Sequence, residues 1–195
     1  GAIKPSHSPE AKEKTQITEM SLSETDLKRF IQNVPDFPRE GINFKDISPL
    51  LGDATAFATA VSLMAHSFEV EEVEYVAGIE ARGFILGSAL ANLLNLGFIP
   101  IRKPGKLPGE IVAQNYNLEY GESSLEMQCG AVPKGSNVLI VDDILATGGT
   151  AKSAAKLVER IGGRVVGFVF LASLEFLNGR KEIANYPHHA LLTYD

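Results

Sequence analysis

One cysteine, Cys129, occurs in 195 residues, so neither an intrachain disulfide framework nor a cysteine-based zinc cluster can form. Cys129 has no flanking basic residue and no nearby histidine in the sequence, so it lacks the surroundings of a reactive thiol. A reducing cytoplasm is the expected home. Long hydrophobic runs are also missing. The stretches from Phe84 to Leu96 and from Val165 to Ala172 are short or broken by Gly, Ser and Asn, whereas a spanning helix needs about 18 or more apolar residues. No membrane segment is expected, and the first 20 residues hold no apolar core of a secretory leader. Positive charge is in deficit, with 18 basic against 24 acidic residues and a net charge of −6. That balance excludes an extended basic face for DNA, RNA or an anionic membrane, although it permits a local patch.

What is present is a globular composition, 45% hydrophobic and 22% charged, in a length that suits one domain and a tail. Residues 1–20 are rich in Lys, Glu, Ser, Thr and Pro and are expected to be a mobile tail, with a single domain over 21–195. SLSETDLKRFIQNV places Leu22, Leu27, Phe30, Ile31 and Val34 near helical spacing, and Pro35 ends the pattern. PDFPREGINFKDISPLL reads as an ordered, irregular connection, and Ala54 to Phe68 as a helix with Phe57, Ala60, Val61, Met64 and Ala65 on one side.

From Val73 onward strand and helix patterns alternate. VEYVAGI, FIPIR, SNVLIVDD, RVVGFVFLAS and HALLTY read as strands, and GFILGSALANLLNLG and TAKSAAKLVERIGG as helices. The fold class is therefore α/β, a central, mostly parallel sheet flanked by helices. IVAQNYNLEYGESSLEM, with Gly-Glu-Ser-Ser at its centre, adds an inserted β-hairpin.

The segment VLIVDDILATGGTAKSAAKLVERIGG carries the most chemistry. Its apolar strand ends in Asp142 and Asp143, and a small-residue loop, Ala146, Thr147, Gly148, Gly149 and Thr150, opens a helix. Unpaired N–H groups at a helix start hold anions, and glycines let the backbone come close. A plain turn with Thr147 or Thr150 as N-cap would have the same composition. The Walker and dinucleotide-binding glycine patterns are absent. Two carboxylates beside an anion cradle fit a ligand with both hydroxyl and phosphate groups, such as a phosphorylated ribose.

This run resembles the phosphoribosyl pyrophosphate motif of the type I phosphoribosyltransferase family. The resemblance implies that family's fold with a small N-terminal hood, ribose contacts from Asp142 and Asp143, and 5′-phosphate contacts from Ala146, Thr147, Gly148, Gly149 and Thr150. It places Arg82, in GIEARGF, against the pyrophosphate, a task suited to a guanidinium fork. Arg102, Lys103 and Lys106, in IRKPGKLPG, form a basic loop where cations or Mg²⁺ would stabilise the leaving pyrophosphate. From Arg82 to Asn117 four basic residues face one acid, Glu110, a local balance of +3. The resemblance further implies a loop that closes over the site, a homodimer in which that loop lies near the partner's site, and Mg²⁺ held through the substrate, or by Asp142 or Asp143 through water, without a strong direct protein ligand.

PDFPREGINFKDISPLL, IRKPGKLPG and NLEYGESSLEMQ together resemble the branch of the family whose acceptor is adenine, over roughly Ser23 to Asp195. This implies adenine and phosphoribosyl pyrophosphate as substrates and AMP and pyrophosphate as products. The base would lie on Phe44 and be read by the backbone of Asn43 and Lys45. Lys45 stands where an arginine is common, and Asn43 where an apolar residue is common. Glu119 matches an acid near the base that manages its proton, and Tyr120 beside it is a further candidate contact. An oxopurine acceptor, or a non-catalytic sensor of the same fold, are the alternatives. His188 and His189 lack a third metal ligand at useful spacing.

Overall fold

The computed structural model describes residues 22–68, 72–118 and 121–195. The expected tail, 1–20, therefore lies outside the described residues. Two compact units divide the chain at Ala60 and Val61.

The first unit opens with a short helix, α1 (Glu24–Lys28). Ser23 caps it reciprocally: its hydroxyl accepts the Asp26 N–H at 3.2 Å, while the Asp26 carboxylate accepts the Ser23 N–H at 3.0 Å. The helix expected to reach Val34 ends here. Gln32–Val34 is instead a strand, β1, paired antiparallel with β2 (Phe44–Asp46), so that Val34 faces Phe44 and Asn33 faces Lys45. The connection expected to be irregular thus contains β2 and the short helix α2 (Ser48–Gly52). Between β1 and β2 the chain folds on itself, with the Asp36 carboxylate accepting the Gly41 N–H at 2.8 Å and the Phe37 and Phe44 rings edge to face at 5.2 Å. Helix α3 (Ala54–His66) follows as expected; Asp53 accepts the Ala56 N–H at 2.8 Å at its start.

The second unit, Val61–Asp195, is built on five parallel strands: β3 (Tyr75–Ile79), β4 (Gly97–Ile101), β7 (Asn137–Leu145), β8 (Arg164–Leu174) and β9 (His188–Tyr194). Their order is β4-β3-β7-β8-β9. Val138, Leu139, Ile140, Val141, Phe168, Val169 and Phe170 are all buried, as the continuous apolar runs require of a sheet covered on both faces. Helix α4 (Arg82–Leu94) links β3 to β4, and helix α5 (Gly149–Arg160) links β7 to β8. The chain moves outward in opposite directions from β3 and β7, so right-handed crossovers put these helices on opposite faces. Beneath α5, Ala151, Ala154, Ala155 and Val158 pack on Val138, Ile140, Phe168 and Phe170.

The hairpin is present as β5 (Ile111–Leu118) and β6 (Gly121–Gln128), paired from Ile111 with Gln128 to Leu118 with Gly121. The segment expected at its centre, Gly121 to Ser124, lies entirely in β6. Gly, Glu and Ser read as turn by composition, but Glu122 and Ser124 stand on the side of the ladder opposite buried Leu125 and Met127, where polar residues are tolerated. The Arg160 guanidinium donates to the Ala113 carbonyl and ties α5 to β5.

Candidate active site

The strand order reverses between β3 and β7, and in open parallel sheets ligands bind outside the carboxyl ends of the strands at such a point. The residues just beyond β3 and at the end of β7 are Glu80 to Arg82 and Asp142 to Gly148.

The two acids do not end their strand. β7 continues to Leu145, with Asp142 opposite Phe170 and Leu145 opposite Ser173 on β8. Strand alternation therefore separates them. Asp143, buried, meets the Arg82 Nε on the α4 face. Asp142 lies on the α5 face and lines a cavity of about 70 Å³ with Ala146, Thr147, Gly148 and Thr150. Asp142 Oδ1 also turns back to accept the Asp143 N–H at 2.8 Å. Burial drives the Asp142 carboxyl well above the usual carboxylate range, and the neighbouring Asp143 charge pushes it further; the Asp143 N–H and Arg82 oppose this without cancelling it. Gly83 is required beside this pair, because a Cβ there would stand 2.9 Å from Asp142 Oδ1 and from the Val141 carbonyl.

The expected small-residue loop opens a helix, α5. Its N-cap is Gly148, at φ +89°, and no side chain caps α5, so the reading of Thr147 or Thr150 as an N-cap is set aside. The first N–H groups of α5 therefore receive no side-chain cap. What shapes the loop is a segment that the sequence analysis passed over. Two short 3₁₀ turns, Glu175–Leu177 and Gly179–Ile183, run beneath it. A Cβ on Gly179 would stand 2.2 Å from the Ala146 carbonyl oxygen, and one on Gly148 would stand 2.4 Å from the Gly179 carbonyl oxygen. Arg180 fixes this support by a forked bond to Glu175, at 2.9 Å from Nε and 2.7 Å from Nη2, and Lys152 reaches Glu182 at 3.2 Å. The Asn178-Gly179 pair is a turn signal that could have been weighed.

The basic loop after β4 is also in place, and two of its cations, Arg102 and Lys106, meet one acid. Arg102 Nη2 lies 3.2 Å from Glu80 Oε1, the Lys103 backbone N–H donates to Glu80 Oε2 at 3.0 Å, and Lys106 Nζ pairs with the same carboxylate. Arg102 also sits over the Phe84 ring at 5.6 Å. Glu80 was not singled out from the sequence. Asn43, Phe44 and Lys45 belong to the first unit, with Phe44 half-buried and Asn43 exposed. Glu119 and Tyr120 lie outside the described residues. Among the described residues no cluster of three or more His, Cys, Asp or Glu could hold a metal ion.

A parallel sheet whose switch point joins an acidic pair to a glycine-opened helix is the architecture of a phosphoribosyl transferase domain, and the model of that domain matches residues 56–188. Curated adenine phosphoribosyltransferases from Brachyspira hyodysenteriae and Flavobacterium johnsoniae are each 50% identical to the chain, covering 87% and 86% of it and 99% of their own lengths. The crystal structure of adenine phosphoribosyltransferase from Thermoanaerobacter pseudethanolicus superposes with a TM-score of 0.86 at 47% identity, covering 88% of this chain and 100% of that one. That from Saccharomyces cerevisiae, complexed with an imino-altritol bisphosphate and adenine, gives 0.80 at 41% identity, over 87% and 98%. The chain belongs to the adenine phosphoribosyltransferase family.

Proposed function

We propose that the protein transfers the 5-phosphoribosyl group from phosphoribosyl pyrophosphate to adenine, giving AMP and pyrophosphate. The observation that carries this reading is a cavity lined by Asp142 together with Thr147, Gly148 and Thr150, beside relatives that carry that name over nearly their full length.

In this reaction the bond from ribose C1 to the pyrophosphate oxygen breaks with its electron pair leaving on pyrophosphate. A purine ring nitrogen bonds to C1, and its proton departs. Positive charge builds on the ribose between these events, so the protein's task is to hold both phosphate ends and the diol in line. Asp142 and Asp143 accept hydrogen bonds from the ribose hydroxyls. The start of α5, with Ala146 and Gly149, holds the 5′-phosphate. Arg82, Arg102, Lys103 and Lys106 face the leaving group, and Tyr120 adds a contact to the same substrate. Phe44 stacks on the base, with Asn43 and Lys45 reading its edge. Glu119 takes the proton.

The oxygen donors at Asp142 and Asp143, with no third carboxylate beside them among the described residues, fit a hard cation that is held mainly by substrate phosphates and water. Mg²⁺ so bound supplies charge neutralisation for the departing pyrophosphate. A homodimer, with the basic loop near the partner's site, and a cytoplasmic home complete the reading. No helix of the described residues is long and apolar enough to cross a membrane.

Two measurements test this. A spectrophotometric assay with phosphoribosyl pyrophosphate should show AMP formation from adenine that requires Mg²⁺, with hypoxanthine, guanine and xanthine turned over far more slowly; a preference for an oxopurine overturns the acceptor. Glu119→Gln should lower kcat by about 100-fold, the low end for a lost acid-base group, at unchanged affinity for phosphoribosyl pyrophosphate. Unaltered kinetics would refute its proton role.

A further inference from the structure

The end of β3 carries an acid that the reaction does not call for. The Glu80 side chain is 8% exposed, and it receives hydrogen bonds from three positions of one loop. Arg102 donates through Nε at 3.3 Å and Nη2 at 3.2 Å, the Lys103 backbone N–H at 3.0 Å, and Lys106 through Nζ. No side chain of its own helix or strand competes for it among these bonds. A second pin lies on the far side of the loop, where the Glu126 carboxylate accepts the Gly105 N–H at 2.8 Å.

Burial alone would push the Glu80 carboxyl up, but Lys106, the Lys103 N–H and Arg102 together bring it down to about 2. It is therefore ionised wherever the enzyme works, and its hold on the loop is constant. The cations it holds remain partly open, with side-chain exposures of 32% for Arg102 and 46% for Lys106. An arginine has five N–H donors and a lysine three. Glu80 takes two from Arg102 and one from Lys106, so donors remain on each for an incoming anion.

We propose that Glu80 is a positioning residue that pre-assembles Arg102 and Lys106 into one pyrophosphate clamp before substrate arrives. This rests on the reading of those two cations as pyrophosphate contacts. The loop contains Pro104, Gly105, Pro108 and Gly109, and two long cationic side chains on it would otherwise lose rotamer freedom only on binding. A buried, rigidly placed carboxylate moves that ordering into folding, and the anion then meets a formed clamp. Glu80 touches no reacting atom, and its effect runs entirely through the two cations.

Glu80→Gln keeps the shape and removes the charge. Expected is a KM for phosphoribosyl pyrophosphate, and for pyrophosphate in the reverse direction, raised by about tenfold, the size of one charged hydrogen bond, with the KM for adenine unchanged. In the ligand-free protein, tryptic cleavage after Arg102 and Lys106 should quicken by a similar factor, and Glu80→Asp should recover part of both effects. Unchanged pyrophosphate-side KM values and cleavage in a folded Glu80→Gln protein would overturn the proposal. So would an equal rise in the KM for adenine with a lowered melting temperature, which marks a purely structural acid. If Glu80→Gln does not fold, Glu80→Asp carries the same readouts in the same direction. A wild-type protein that makes no AMP at all would sink the assigned reaction instead, while the cleavage comparison would still decide whether Glu80 holds the loop.

Discussion

Asp142→Asn combined with Asp143→Asn is expected to lower kcat/KM for phosphoribosyl pyrophosphate by about 10³-fold, the loss of two charge-assisted bonds to the ribose diol. The fold should survive. Asp142 carries a raised carboxyl pKa in the folded chain, so the folded state holds a proton that the unfolded state gives up above its ordinary value. Stability from that source falls as pH rises from the ordinary value toward the folded one. Asparagine at 142 removes the penalty. Asp142→Asn alone should therefore melt at or above the wild-type temperature at pH 7, with any gain vanishing by about pH 2–3, below the ordinary aspartate value, where residue 142 is neutral in both states. Near-normal turnover of the folded double variant would remove the ribose assignment. A loss of thermal stability for Asp142→Asn at pH 7 would show that its burial is not the dominant influence.

The second large effect is expected at the cradle's support. Gly148→Ala must place a Cβ 2.4 Å from the Gly179 carbonyl oxygen and hold a left-handed backbone at φ +89°. The obstructing atom is backbone, so the loop and the 3₁₀ segment have to separate. Left-handed strain alone costs about 1–2 kcal/mol for alanine, and the displaced loop should reduce kcat/KM by about 100-fold or more through misplaced phosphate donors. Melting should fall by about 5–10 °C. Gly149→Ala is the control. Its Cβ would have Tyr116 Cδ2 as nearest neighbour at 3.6 Å, an ordinary contact, with no positive φ. A similar fall in melting temperature in the two variants would mean that the contact with Gly179 does not set the loop.

Most of the sheet and the centre of the site are legible in the sequence, because they depend on local text. VLIVDD and VVGFVFLA announce buried strands by continuous apolar composition, and the glycines of ATGGT mark where a backbone must turn sharply into a helix. What escapes reading depends on partners distant in sequence. Gln32–Val34 looks like the end of a helix until Phe44–Asp46 pairs with it, and a ladder with a segment ten residues away leaves no trace in the helical period. β7 runs past Val141 because β8 supplies hydrogen-bonding partners as far as Ser173, so two carboxylates are carried inside a strand. Glu80 and Gly179 are single letters whose importance comes from Lys106, 26 residues later, and Ala146, 33 residues earlier. Periodicity has no means of weighing them.

The pairing of Arg82 with Asp143, and of Arg102 and Lys106 with Glu80, has a consequence for the company the protein keeps. Each of these three cations has an acid beside it, so together they project less positive field than open cations would from a chain of net charge −6. Nucleic acids and free polyphosphates, which are drawn to an open basic groove by long-range attraction, meet a weaker lure at these paired cations. Only an anion small enough to enter, and shaped to reach the remaining donors on several of these side chains at once, gains from binding. Discrimination against the many wrong polyanions of a cell is thus built into the resting state, through what the site withholds as much as through what it offers.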